Sequence, residues 1–253
     1  MLVYPSAIDL SSRTLRFLTG RLKDRRREIG TRWRRLPASR QALLTLAHLR
    51  GGDTYAQLAA GFGVGIATVY RYIREAVEVL ASLAPSLDET MRTIRERAFI
   101  ILDGTLLPID RIAADTPYYS GKHKRHGVNV QVVTDPVGKI LWLSPALPGR
   151  THDLTAARTH RIIRICERQG VPLLADRAYT GAGDWATTAK RRPPGGELTP
   201  TERTVNRALA AARAPVERGV GRLKSWRMFR HARCSPTRLS TITVAILTLE
   251  RER

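Results

Sequence analysis

The chain has 253 residues, two cysteines, and 43 Lys and Arg against 22 Asp and Glu, for a formal charge of +21. That length allows one large domain or two modest ones with real cores, and a cationic surplus of this size points to a polyanionic partner bound through phosphate neutralisation and counterion release. Cys166 and Cys234 lack metal-type spacing, which argues against a disulfide scaffold or a zinc site; no apolar stretch reaches the roughly 18 residues of a membrane span, and Met1-Leu2-Val3-Tyr4-Pro5 lacks the pattern of a leader, so a reducing cytoplasm is the expected setting.

Residues 1–37 form an Arg-rich segment (Arg21, Lys23, Arg25, Arg26, Arg27, Arg32, Arg34, Arg35) in which Leu15, Phe17, Leu18 and Leu22 suit one helix face. Arginine-rich coding explains part of the excess but not this clustering. Residues 38–97 read as a helical domain with a connector. Arg40–Leu49 predicts a helix stopped by Gly51-Gly52. Residues 54–73, TYAQLAAGFGVGIATVYRYI, then have the spacing of a helix-turn-helix. Small Ala59 lets the two helices approach, Gly63 suits a positive φ in the turn, and Leu58, Val64, Val69 and Tyr72 or Ile73 fill a small core. A helix beginning near Gly65 or Ile66 would present Thr68, Arg71 and Arg74 to a major groove. A plain helical hairpin with a glycine turn is the competing reading.

From Ala98 the texture changes. Strand-like runs occupy 98–102, 127–133, 139–143 and 171–175, with a helix expected over Leu154–Gln169. Tyr118–Asn129 predicts a hairpin, whose Lys122, His123, Lys124, Arg125 and His126 suit the backbone of a nucleic acid. Thr199-Pro200-Thr201-Glu202 resembles a capping box with Pro at the first helical position. Helices are expected to about 212, over 215–229 and from 236 on. Trp226, Met228 and Phe229 read as core, and Thr237–Leu249 as a buried helix. This order of strands and helices matches an α/β (α+β) ribonuclease-H-like domain with a mixed sheet over 98–253, preceded by the all-α helix-turn-helix domain.

Three acids carry the chemistry. Asp103 follows Ala98-Phe99-Ile100-Ile101-Leu102, Asp176 follows Val171-Pro172-Leu173-Leu174-Ala175, and Glu217 lies in a basic helical stretch. In the ribonuclease-H-like order the first and fourth strands lie side by side, so Asp103 and Asp176 meet and a later helix brings Glu217 over the same edge. Carboxylates with water and phosphate oxygens suit Mg²⁺, and two such ions activate a water or 3′-hydroxyl and stabilise the leaving oxygen. The bland alternatives are a turn at Asp103-Gly104, a cap at Asp176 and a surface pairing of Glu217 with Arg213 or Arg218. Asp153 reads either as the N-cap of the helix from Leu154 or as a fourth acid beside the metals. It also competes for the second place, for which Asp176 is preferred because it ends a strand next to the first. His152 reads as an orienting or phosphate-contacting group.

The stretches Ile101-Leu102-Asp103-Gly104-Thr105, Tyr119-Ser120-Gly121-Lys122-His123-Lys124, Pro148-Gly149-Arg150-Thr151-His152-Asp153, Leu174-Ala175-Asp176-Arg177-Ala178-Tyr179 and Pro215-Val216-Glu217-Arg218 through Leu223-Lys224 resemble, as a set, bacterial insertion-sequence transposases of the DDE superfamily. The resemblance is to the insertion-sequence-five group, related to Harbinger-type transposases. It implies that Asp103, Asp176 and Glu217 are the catalytic triad, that Mg²⁺ (or Mn²⁺) is the cofactor, in two ions, and that Arg213 and Lys224 grip DNA phosphates. It also implies terminal inverted repeats and target DNA as partners, a homo-oligomer, no membrane and a nucleoid setting. Related transposases often carry Tyr where this chain has Ala210, and Pro215 interrupts the helix between Arg213 and Glu217. The rival functions are a transposase-derived DNA-binding protein or repressor that does not cut, and a ribonuclease-H-like nuclease without strand transfer.

Overall fold

The computed structural model describes residues 8–31, 33–94, 99–110, 116–230 and 232–252. Met1–Pro5, Arg32, Ala98 at the head of the first expected strand and His231 of the C-terminal basic stretch lie outside the described residues. The chain divides into two compact units, Met1–Ala84 with Lys224–Arg253, and Pro85–Leu223.

The first unit is helical. Helix α1 (Ser12–Glu28) starts at Ser11, whose hydroxyl accepts from the Thr14 amide, and buries Thr14, Leu18 and Leu22, a stripe of four-residue spacing. Leu15 and Phe17 are only half-buried. Helix α2 (Ala38–Leu46) continues into a π turn that Gly52 ends at φ 76°. Helix α3 (Tyr55–Phe62) opens on a reciprocal capping box between Thr54 and Gln57 and closes on Gly63 at φ 66°, the left-handed conformation that glycine adopts without a Cβ penalty. Helix α4 (Ile66–Ser82) buries Val69, Tyr72, Ile73, Ala76, Val77 and Leu80. The expected helix-turn-helix and its small core are therefore present, with Leu58 and Val64 also buried.

The last helix of the chain, α10 as numbered in chain order (Pro236–Arg251), belongs to this unit. Chain order alone places it with the segment 98–253. The contacts divide differently because Leu239, Ile242, Ala245, Ile246, Leu247 and Leu249 are all buried, so this helix has to be wrapped. Its Thr248 hydroxyl donates to the Leu80 carbonyl of α4 at 2.8 Å. Upstream, the buried Trp226 indole donates to the Glu250 carboxylate at 2.7 Å, and Met228 and Phe229 are buried too, as their apolar character predicts.

The second unit holds the sheet. After helix α5 (Leu87–Ile94) come β1 (Ile100–Pro108), β2 (Tyr119–Ser120), β3 (Arg125–Thr134), β4 (Ile140–Leu143) and β5 (Leu147–Pro148). Helices α6 (Asp153–Thr159) and α7 (Ile162–Arg168), strands β6 (Leu173–Ala175) and β7 (Ala186–Thr187), and helices α8 (Pro200–Arg213) and α9 (Val216–Lys224) follow. Among the described residues the strands run β2-β3-β1-β6-β7, with β4 and β5 also paired to β3. β1 is antiparallel to β3 and parallel to β6. The sheet is thus mixed, as expected, with the first and fourth expected strands side by side.

Three boundaries depart from the sequence reading. β1 continues past Asp103 to Pro108, because Leu106 and Leu107 extend the apolar pattern and pair with β3; Asp103 is a mid-strand residue. The single helix expected over 154–169 is broken at Arg161, which takes φ 55°. The helix expected over 215–229 ends at Lys224, and a 3₁₀ turn (Arg227–Phe229) follows it. The Thr199–Glu202 capping box and Pro200 at the start of α8 are found as predicted. Among the described residues no helix is long and apolar enough to cross a membrane.

Helix α9 is anchored by close backbone approach to the β3–β4 turn. A Cβ on Gly219 would lie 2.6 Å from Thr134 Cγ2, and one on Gly138 would lie 2.2 Å from the Pro215 carbonyl oxygen. Gly138 also has φ 83°. Gly138→Ala should therefore destabilise this unit by about 1–3 kcal/mol in chemical denaturation; unchanged stability would show that the turn does not hold α9.

Candidate active site

The pairing of β1 with β6 sets Leu102 opposite Ala175. The residue that follows each is an aspartate, Asp103 within β1 and Asp176 just past the end of β6, so the two emerge as neighbours. Asp176 begins a 3₁₀ turn (Arg177–Tyr179), and its Oδ1 accepts from the Ala178 amide at 2.8 Å, which fixes the carboxylate. The Asp103 carboxyl is pushed up to about 6, first by burial and then by the charge of Asp176; Arg213 opposes this and Asp153 adds to it. Burial and like charge both disfavour the ionised form. Burial is the larger cause here, and the neighbouring Asp176 and Asp153 add to it against the opposing Arg213.

Asp153 is the third member. It is the first residue of α6, and His152 takes the cap position without a side-chain bond, so the N-cap reading of Asp153 does not hold. Its side chain instead turns to the sheet and is 12% exposed. Asn129 Nδ2 donates to Asp153 Oδ1 at 2.8 Å and to the Thr151 carbonyl at 3.1 Å. Lys122 Nζ lies 3.3 Å from Asp153 Oδ2. A Cβ on Gly104 would sit 2.0 Å from Asp153 Oδ1: the carboxylate rests against the strand backbone one residue beyond Asp103, where only glycine leaves room.

A chain of buried amides continues from it. Gln131 Nε2 donates to Asn129 Oδ1 at 2.8 Å, and the Tyr179 hydroxyl donates to Gln131 Oε1 at 2.7 Å. Burial and the charges of Asp153, Asp103 and Asp176 hold the Tyr179 phenol well above its ordinary value, so it stays a donor. Sequence reasoning assigned no role to Asn129, Gln131 or Tyr179. The signal lay in Val128-Asn129-Val130-Gln131-Val132, where two amides alternate with valines and face one side of a strand. Buried amides need partners, and the partners lead to Asp153. A groove of about 690 Å³ opens beside Asp153, with Tyr119, Lys122, His123, Arg150 and His152 on its walls.

Glu217 is exposed in the first turn of α9. Lys224 ends the same helix seven residues on, about two turns and so on one face. Pro215 separates α8 from α9, so Arg213 is the last residue of the preceding helix. Arg213 nevertheless acts on Asp103, and its buried Nε has no hydrogen-bond partner among the described residues. The fold thus gathers Asp103, Asp176, Asp153 and Arg213. Among the described residues no group of three His, Cys, Asp or Glu stands close enough to hold a metal ion. The pair Asp103 and Asp176 suits a hard cation of the Mg²⁺ kind, which takes one or two carboxylates and completes its shell with water and phosphate oxygens.

In the helical unit, α4 exposes Ile66, Ala67, Tyr70, Arg71 and Arg74 along one face, while Thr68 is half-buried. Arg74 Nε donates to Glu78 at 2.8 Å. Sequence reasoning missed Tyr70, whose ring meets Tyr55 edge-on at 6.0 Å. Lys124 is exposed in the β2–β3 turn at φ 50°.

Comparison with known proteins gives the family of each part of the chain. Residues 102–251 match the DDE superfamily endonuclease family, and residues 34–86 match the helix-turn-helix of DDE superfamily endonucleases. The chain is also 29% identical over 207 residues to a protein of Streptomyces albus G whose name assigns it, as a transposase, to insertion sequence element IS112; the match covers 78% of this chain and 73% of that one.

The raised Asp103 value has a stability consequence. Its contribution is fully present below the ordinary value of 3.8 and is lost as pH rises through about 6. In metal-free protein, Asp103→Asn should raise the thermal midpoint at pH 8, by about 2–4 °C for each kcal/mol relieved, and change it little at pH 4. An equal effect at both pH values would contradict the raised Asp103 value.

Proposed function

Because the chain belongs to the DDE superfamily of endonucleases and carries that superfamily's helix-turn-helix, we propose that it is the transposase of an insertion sequence, cutting DNA at the element's ends and joining them to a target. The observation that carries this reading is the parallel pairing of β1 and β6, which forces Asp103 beside Asp176. Members of the superfamily generally use divalent metal ions.

In this reading Asp103 and Asp176 hold the cation, and Glu217 completes the site from α9. The chemistry a divalent cation supplies there, Mg²⁺ or Mn²⁺ in one or two ions, is polarisation of a phosphoryl oxygen and a lowered pKa of the attacking water or hydroxyl. Asp176 is oriented by the Ala178 amide, and Asp153 is held beside the site by Asn129, Gln131 and Tyr179. Arg213, next to Asp103, and Lys224 on α9 take the negative charge of the phosphates. Lys122 and Lys124 extend that grip along the hairpin. Water attacks the phosphorus and the 3′ oxygen leaves with a proton; the freed 3′-hydroxyl then gives up its proton and attacks a phosphodiester of the target, whose own 3′ oxygen leaves with a proton as its bond to phosphorus breaks. The α4 face, with Arg71, Arg74 and Thr68, reads the terminal inverted repeats; two ends brought together call for at least a dimer.

A second reading, a DNA-binding protein that does not cut, draws on the exposed position of Glu217 and on the absence of a three-acid cluster among the described residues. A nicking assay separates the two. Purified protein with Mg²⁺ or Mn²⁺ is given duplex DNA carrying the sequences that flank its gene. The transposase reading expects nicking at the element's ends, and a loss in Asp176→Asn exceeding the roughly 10–100-fold typical of a lost outer partner of a metal site. Undiminished nicking by Asp176→Asn would refute the site, and binding without any cleavage by the unaltered protein would favour the second reading.

A further inference from the structure

The helical unit contains a feature that the helix-turn-helix alone does not account for. Its C-terminal arm, from Lys224 into α10, builds a pocket of about 450 Å³ against the turn that precedes α3. One wall is Gly51, Gly52 and the start of α3 at Thr54 and Tyr55; the other is Arg227, Arg230 and Arg233. Arg227 and Arg230 are exposed and form no ion pair among the described residues. Asp53 is the acid on the wall, and its backbone carbonyl accepts from His48 Nδ1 at 2.8 Å. Three guanidinium groups against one carboxylate leave the pocket cationic.

The arm is fixed in place rather than draped. Trp226 is buried beneath Arg50, whose guanidinium lies 5.6 Å from the indole ring. Gly52 has φ 76°, and a Cβ there would sit 3.2 Å from Arg227 Cβ, so the arm passes close over this turn. At the start of α10, Arg238 lies 5.4 Å from the centre of the Tyr70 ring, on the exposed face of α4 beside Arg71 and Arg74. The arginine-bearing arm therefore flanks the face of the helix that would enter the groove. Family matching assigns the helix-turn-helix to 34–86 and leaves this arm in the endonuclease segment, whereas its packing puts it in the DNA-binding unit.

We propose that the arm carrying Arg227, Arg230 and Arg233 is a second, discontinuous part of the DNA-binding surface, gripping backbone phosphates of the duplex whose groove α4 reads. The occupant is duplex DNA because Arg227 and Arg230, exposed and outside the ion pairs of the described residues and fixed beside a groove-reading helix, complement a phosphate backbone. Arginine suits this role through its planar fork of donors. The inference rests on the reading of this unit as DNA-binding, and the experiment separates the two.

The test is fluorescence anisotropy of the full-length protein with a labelled 30-base-pair duplex of arbitrary sequence, titrated across a series of salt concentrations. Each phosphate contact contributes about 0.9 to the slope of log affinity against log salt. Arg227→Gln with Arg230→Gln should lower the slope by roughly 1.8 relative to the unaltered protein. Arg227→Lys with Arg230→Lys, which keeps the charge, should leave the slope near its original value. A control pair on α7, Arg161→Gln with Arg164→Gln, should not move it. Thermal midpoints matched across the set exclude misfolding, and the lysine pair guards the conclusion if the glutamine pair melts early. An unchanged slope in the glutamine pair, or an equal fall in the α7 control, overturns the inference while leaving DNA binding intact. Failure of the unaltered protein to bind the duplex overturns both.

Discussion

Strand β1 pairs in parallel with β6, and this pairing places two aspartates side by side at a cost the protein has to meet. Fully ionised, Asp103 and Asp176 repel one another in a half-buried site, and Asp153 adds a third negative charge. Arg213 is the cation that acts on Asp103. A sheet does not gather carboxylates for stability, since like charges at close range are unfavourable. The arrangement makes physical sense once a cation and a phosphate share the space. Perturbed acids in a cleft are what a site of this kind requires.

The surrounding fold holds those acids rigid. β3 is buried along most of its length and carries Asn129 and Gln131 in a wall of valines. Their amides tie Asp153, the Thr151 carbonyl and the Tyr179 hydroxyl into one network. Tyr179 follows Asp176 by three residues, so the turn that aims Asp176 is itself pinned to β3. Gly104 lets the Asp153 carboxylate approach the β1 backbone. Positions fixed by packing and satisfied hydrogen bonds keep reacting groups in register.

Much of this was legible in the sequence because short apolar runs ending in an acid, and a glycine between two amphipathic segments, have few physical solutions. The helix-turn-helix core, the mixed sheet and the adjacency of the first and fourth strands follow from pattern and order. The extent of β1 did not, since Asp103 looks like a strand end yet lies mid-strand, its neighbours Leu106 and Leu107 continuing the pairing. The role of Asp153 stayed open because helix caps and site acids share residue types; its contact with Asn129 is a long-range fact. The C-terminal arm was assigned by chain order, whereas α10 is drawn to the N-terminal helices by an apolar surface too broad for one face. Pro215 breaks the helix, as its missing amide requires, and the electrostatic effect of Arg213 on Asp103 survives the break.

The claim at the centre is that Asp103 and Asp176 form one cation-binding pair. Titration of the DNA-free protein with Mn²⁺, followed by the loss of free-ion electron paramagnetic resonance signal, tests it most directly. The account predicts saturable binding by the unaltered protein that disappears in Asp103→Asn and equally in Asp176→Asn. Binding of the same strength in either variant would contradict it.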